Sequence, residues 1–194
     1  MLRCLFHSTI QDFCKMSPKV LLGTFISNYH GCSITTTDEA WLSEIEIMQN
    51  VLLLWRDENG HVIFEYDIPR LGKRIDVVLL LRGLIFCIEF KIGEKNVLQS
   101  NIEQVLDYAL DLKNFHLLSQ DRTIVPILVP TKLDTSSNVF VSSVYDDSIY
   151  NPLVTGITGL QQLISNVFIH SGALNEDPSL GADSVSYTHL TLPT

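Results

Sequence analysis

The stretch Arg74-Ile-Asp-Val-Val-Leu-Leu-Leu-Arg-Gly-Leu-Ile-Phe-Cys-Ile-Glu-Phe-Lys-Ile92 decides the fold. Two apolar runs, Arg74 to Leu81 and Leu84 to Ile92, flank Arg82-Gly83, a two-residue link of the kind that closes a β-hairpin. Both runs are apolar on both faces, as strands are when helices cover them on each side. They are therefore expected to be central strands of a layered α/β sheet. In an antiparallel hairpin closed at Arg82-Gly83, residues whose numbers sum to about 165 oppose one another, which sets Asp76 against Glu89. Glu89 and Lys91 lie two apart on one strand and face the same way.

Working outward, Asp57-Glu58-Asn59-Gly60 is a turn signal, and His61 to Ile68 reads as a strand closed by Pro69. Upstream, Trp41, Ile45, Met48 and Leu52 recur at helical spacing, with Thr37 or Asp38 as the expected cap. Glu44 lies one residue off that stripe. Downstream, Ile102, Val105, Leu106, Ala109 and Leu110 mark one face of a helix from Ser100 to about Phe115, and Thr123 to Val129 is a further apolar strand. The order α-β-β-β-α-β implies a mixed central sheet flanked by helices. Val139 to Tyr145 is expected as an edge strand and Gly159 to Ile169 as one more helix.

These patterns divide the chain into a weakly patterned N-terminal extension over 1–36, one domain over 37–170, and a disordered tail over 171–194. The tail is rich in Gly, Ser, Asp and Pro and has no period that buries a face. Its end, Ser184 to Thr194, resembles translated sequencing adapter, so the native chain is expected to differ beyond about residue 175.

At 194 residues the chain suits one buried core, and 46% hydrophobic with 18% charged residues excludes a disordered protein. A net charge of −9 argues against holding nucleic acid by bulk electrostatics. Locally the sign reverses. From Pro69 to Lys95, six basic residues stand against Asp76, Glu89 and Glu94, a balance of +3 that leaves −12 for the rest. Arg70, Lys73 and Arg74 are the expected contacts to a phosphate backbone. Cys4, Cys14, Cys32 and Cys87 form no C-x-x-C pair, which suits a reducing, cytoplasmic setting. The apolar runs fall far short of the ~18 residues of a membrane span.

Two carboxylates converging on one spot repel unless they share a proton or a cation. An oxygen-only donor set favours Mg²⁺ or Mn²⁺ over zinc. Lys91 beside such an ion can orient water and stabilise charge on a phosphate. Gln104 and Tyr108, four apart on one helix, lie one above the other and can hydrogen-bond to Lys91 or to phosphate oxygens. Trp41 reads as a core anchor and His116 as a C-terminal helix cap, while His30 and Cys32 lack the further ligands a zinc site needs.

Asp76, then Glu89-Phe90-Lys91, then Gln104-x-x-x-Tyr108 resembles the PD-(D/E)XK nuclease superfamily, in its RecB-type branch. The segments Phe64 to Asp76 and Gln104 to His116 further resemble an uncharacterised bacterial family whose nuclease-like domain precedes a P-loop, helicase-like module related to Schlafen proteins. The similarity spans residues 37–131, about half the chain.

The resemblance implies a restriction-endonuclease-like core. In it Asp76 and Glu89 are metal ligands, Lys91 is the catalytic lysine, and Gln104 and Tyr108 support it. Glu44 matches an acidic residue that some members carry on the first core helix, a place for which Glu46 competes. Ile75-Asp76 departs from the Pro-Asp that names the superfamily. The implied activity is Mg²⁺- or Mn²⁺-dependent phosphodiester hydrolysis, on DNA rather than RNA, with a helicase or ATPase module as partner. No G-x-x-x-x-G-K-[ST] pattern occurs in the chain. The alternative expectation is a catalytically inactive module of the same fold that binds nucleic acid or a protein.

Overall fold

A six-stranded mixed sheet with helices on both faces carries the fold. The computed structural model describes residues 4–29, 35–68, 73–115, 119, 121–134 and 148–173. In chain order come β1 (Phe6–Thr9), α1 (Ile10–Lys15), α2 (Pro18–Asn28), α3 (Thr35–Leu52), β2 (Gly60–Ile68), β3 (Lys73–Leu81) and β4 (Leu84–Lys91). There follow α4 (Gln99–Phe115), β5 (Thr123–Pro130), β6 (Leu153–Val154) and α5 (Ile157–Ser171).

Spatial order equals sequence order. β1 to β4 form an antiparallel meander, and β5 and β6 then run parallel to β4. The β3–β4 hairpin closes at Arg82 and Gly83 with φ of 51° and 79°, the two positive values that a two-residue turn matching strand twist requires. Its register pairs Val77 with Ile88 and Leu81 with Leu84, the numbering expected for central strands joined at that link.

The strands bury both faces. Phe64, Val77, Leu79, Phe86 and Ile88 pack under α1, α2, α3 and α5. Ile63, Val78, Leu80, Ile85 and Cys87 pack under α4. Phe64 is fully buried, with the rings of Phe13 and Phe25 centred 5.3 and 5.1 Å away. Such a side chain stabilises by several kcal/mol, on the order of 3–5 when truncation leaves a cavity.

Several expectations change. The segment 1–36, set apart as an extension, instead supplies an edge strand on β2 and two helices whose Ile10, Phe13, Leu21 and Phe25 lie in the main core. Elements of 4, 6 and 11 residues carry too few periods to stand out in sequence. Helix α3 begins at Thr35, so Asp38 sits in its first turn, where the helix dipole favours its charge, rather than at the cap. On α4 the buried stripe is Val105, Tyr108, Ala109 and Leu112, rotated from the expected one, and Leu106 and Leu110 only flank it. Helix α5 ends at Ser171 on a left-handed Gly172, two residues beyond the expected Ile169.

The expected edge strand over 139–145, the tail from 174, and Arg70, His30, Cys32 and His116 lie outside the described residues. Among the described residues, no helix is long and apolar enough to cross a membrane. Cys87 is free and fully buried in the sheet.

Candidate functional site

The β3–β4 ladder stops at Val77 and Ile88. Beyond that pair β3 continues on β2 alone and β4 on β5 alone, so the two strands fork. Asp76 and Glu89 are the next residues at the fork. A parted strand leaves backbone donors without ladder partners. Here Asp76 Oδ2 fills one such place by accepting the Phe90 N–H at 2.8 Å. The fork lies at the carboxyl end of β4, the strand at which the sheet changes from antiparallel to parallel.

Lys91 follows on the Glu89 face. Its Nζ donates to Glu89 Oε1 at 2.9 Å and to Gln104 Oε1 at 3.0 Å. The Gln104 amide donates in turn to Glu89 Oε1 at 2.8 Å and to the Tyr108 hydroxyl oxygen at 2.6 Å. The α4 spacing of four residues stacks Gln104 over Tyr108, and burial of the Tyr108 ring anchors the chain of bonds in the core. Burial, more than any neighbour, pushes the Tyr108 phenol up to about 12, so it remains protonated at neutral pH.

From the other layer α3 contributes Glu44, 5% exposed, whereas Glu46 faces solvent. Burial raises the Glu44 carboxyl well above the ordinary range, and the charges of Glu65 and Glu89 raise it further. Asp76 is raised by the same causes, burial first and then Glu44 and Glu89, against the opposing Phe90 N–H. Burial also raises Glu89, opposed by its hydrogen bond and charge pairing with Lys91. Hydrogen bonds thus join Glu89, Lys91, Gln104 and Tyr108, with Asp76 held on the neighbouring Phe90 N–H, while Glu44 is linked to Asp76 and Glu89 by charge alone.

Glu65, which sequence reasoning missed, is a further acidic member of the cluster. The β2–β3 register, Phe64 with Val77 and Tyr66 with Ile75, sets it opposite Asp76. In sequence the second strand is expected to begin at Arg74, and counting outward from a 69–73 link sets Glu65 against Val77, one residue off the register that Ile68 and Lys73 fix. Its Oε1 accepts the Trp41 indole N–H at 2.9 Å, and its Oε2 pairs with Arg74 at 3.2 Å. Trp41 is a core anchor as expected, packed on Phe25 and Tyr29, with its polar edge turned to this carboxylate. Arg74, expected on phosphate, is thereby occupied and also lies over the Tyr29 ring. Lys73 is exposed at the start of β3.

Four acidic groups against Lys91 and Arg74 leave an excess of negative charge. Among the described residues, no three His, Cys, Asp or Glu side chains already stand as a gathered metal shell. Two buried oxygens, Glu44 Oε2 and Glu89 Oε2, nevertheless make no hydrogen bond. Buried carboxylate oxygens are rarely left so without a reason. Unpaired hard oxygens amid mutual repulsion fit a divalent cation such as Mg²⁺ or Mn²⁺ in chemistry and charge. Compared with family models, with curated proteins and with solved structures, the chain matches none.

Proposed function

We propose that this chain is a metal-dependent nuclease domain of the PD-(D/E)XK type, with a restriction-endonuclease-like core, that hydrolyses nucleic-acid phosphodiesters. The observation that carries the reading is the Lys91 ammonium, held by Glu89 and Gln104, at a fork where Glu44 and Glu89 each keep a buried, unpartnered oxygen. Asp76, Glu89 and Glu44 would hold Mg²⁺ or Mn²⁺. When bound, such an ion neutralises the cluster, lowers the pKa of a bound water and polarises a phosphoryl oxygen.

The protein's own groups have distinct tasks. Two of the three Lys91 N–H bonds are taken by Glu89 and Gln104, which aims the third. That hydrogen donates to a phosphate oxygen where negative charge grows during hydrolysis. Gln104 fixes the ammonium by holding Glu89 and Lys91 together, and Tyr108 fixes Gln104. Of Arg70, Lys73 and Arg74, exposed Lys73 would meet the nucleic-acid backbone, for which we propose DNA before RNA. A P-loop helicase module in the same protein and a cytoplasmic setting complete the proposal.

Purified chain is expected to degrade DNA with Mg²⁺ or Mn²⁺, and Lys91→Ala to abolish this. Equal activity in the variant refutes the assignment. One observation favours a second reading, an inactive module that binds nucleic acid or a protein: Arg74 is paired with Glu65, and Lys91 and Asp76 each already hold partners within the protein. Nucleic-acid binding that survives Asp76→Ala, without any uptake of Mg²⁺, favours that reading.

A further inference from the structure

Glu65 sits in the middle of β2 with φ of 53°, in the left-handed region. For a residue with a Cβ this backbone is strained and persists only where its surroundings hold it. The ladder keeps one-for-one opposition on either side, Phe64 with Val77 and Tyr66 with Ile75, so no extra residue is inserted and this is not a bulge.

What changes is the phase. Val62 and Phe64 face the α3 layer and Ile63 the α4 layer, but Tyr66 and Ile68 also face α4. Strict alternation from Ile63 would send Tyr66 to the α3 side. β3 resets at the matching place. Val77, Leu79 and Leu81 face α3, while Ile75 faces α4 together with Val78 and Leu80. The opposed pair Glu65 and Asp76 is therefore the point where both strands turn over.

A turn-over at Asp76 takes its carboxylate out of either layer and along the sheet, toward β4, where it meets the Phe90 N–H. Something must hold the strained partner. Both Glu65 oxygens are tied, Oε1 by the Trp41 indole and Oε2 by Arg74, and its side chain is only 12% exposed.

We infer that Glu65 is a positioning residue: clamped by Trp41 and Arg74, its left-handed backbone aims Asp76 at the β3–β4 fork. The consequence for ion binding rests on the function proposed above, whereas the consequence for Asp76 does not.

The test is amide hydrogen exchange at Phe90, read by NMR on the full chain, beside a Mn²⁺ titration. Trp41→Phe removes the indole donor and leaves every charge in place. It is expected to speed Phe90 exchange at least about tenfold, the scale of one lost hydrogen bond, and to weaken Mn²⁺ binding by a similar factor. Glu65→Ala should do the same. Glu65→Gln keeps an acceptor for the indole but gives up the charge pair with Arg74, so its exchange should fall between the parent and Glu65→Ala. If Glu65→Ala fails to fold, Trp41→Phe and Glu65→Gln decide.

Unchanged Phe90 exchange in Trp41→Phe overturns the inference, as does parent-like exchange in Glu65→Gln. Fast exchange in Trp41→Phe from a parent that takes up no Mn²⁺ upholds the inference and removes the metal reading alone.

Discussion

Gln104 Nε2 and Glu89 Oε1 lie 2.8 Å apart, joining the middle of α4 to the end of β4. The same Glu89 oxygen receives the Lys91 ammonium, so a neutral amide and a cation share one acceptor. An ammonium on a four-carbon stem has many rotamers, and the amide restricts it to one. The site's precision therefore comes from a residue that carries no charge.

That dependence gives a graded series. Lys91→Ala removes the charge and should lower any phosphodiesterase rate by about 10² to 10³ or more. Gln104→Ala leaves Lys91 paired to Glu89 but loosens it, for a loss of about 10- to 100-fold. Tyr108→Phe keeps the buried ring and loses only the hydroxyl on Gln104, so it should cost less activity and lower the melting temperature by no more than a few degrees, the scale of one hydrogen bond. Rates and thermal melts of the three purified variants check the order; Tyr108→Phe as damaging as Lys91→Ala contradicts it.

Glu44→Gln separates stability from function. The parent carboxyl is buried among like charges with one oxygen unpartnered. Removing its charge should stabilise the ion-free protein by roughly 1 kcal/mol, or about 2–4 °C in Tm for a chain of this size. Divalent ion binding should weaken in the same variant. A lower Tm would show that Glu44 is satisfied where it lies.

Stability should depend on pH with an unusual sign. Glu44, Asp76 and Glu89 all hold their protons more tightly folded than unfolded. Below the ordinary carboxylate range both states are protonated and the contribution is fully present. As pH rises from that range through the raised folded values, the unfolded state loses protons first, so stability falls. Mg²⁺ binds the ionised groups, and its stabilisation should grow over the same window, reaching about 2.7 kcal/mol at a hundredfold excess over Kd. Melting curves with and without Mg²⁺, from mildly acidic to mildly alkaline pH, should diverge as pH rises; parallel curves contradict this.

Phe64→Ala tests the core that carries the site. Deleting a ring packed between Phe13 and Phe25 should cost about 3–5 kcal/mol, measured by denaturant unfolding. A change under about 1 kcal/mol would mean that the N-terminal helices are not packed on the sheet as described.

Much of this was legible in sequence because the hairpin is short. Arg82-Gly83 leaves no slack, so register follows from numbering as far as Val77 with Ile88, whereas the expected Asp76–Glu89 pair lies one step past the end of the ladder, where the strands part. The helical period likewise placed Gln104 above Tyr108. Glu65 escaped because the link from β2 to β3 is longer and fixes no register, and a left-handed residue in mid-strand has no composition signal when it is not Gly or Asn. Trp41's bond to Glu65 spans 24 residues and two layers, beyond any local pattern. Tyr108 was placed beside the apolar stripe rather than in it because a polar-tipped ring counts as ambiguous until its hydroxyl has a partner.

The most direct test of the central claim is calorimetric titration of the purified chain with Mn²⁺ at mildly alkaline pH, beside Asp76→Asn. The parent is expected to take up the ion with release of protons, and the variant to bind at least about tenfold more weakly. A parent that takes up no ion, or a variant that binds as tightly as the parent, contradicts the account.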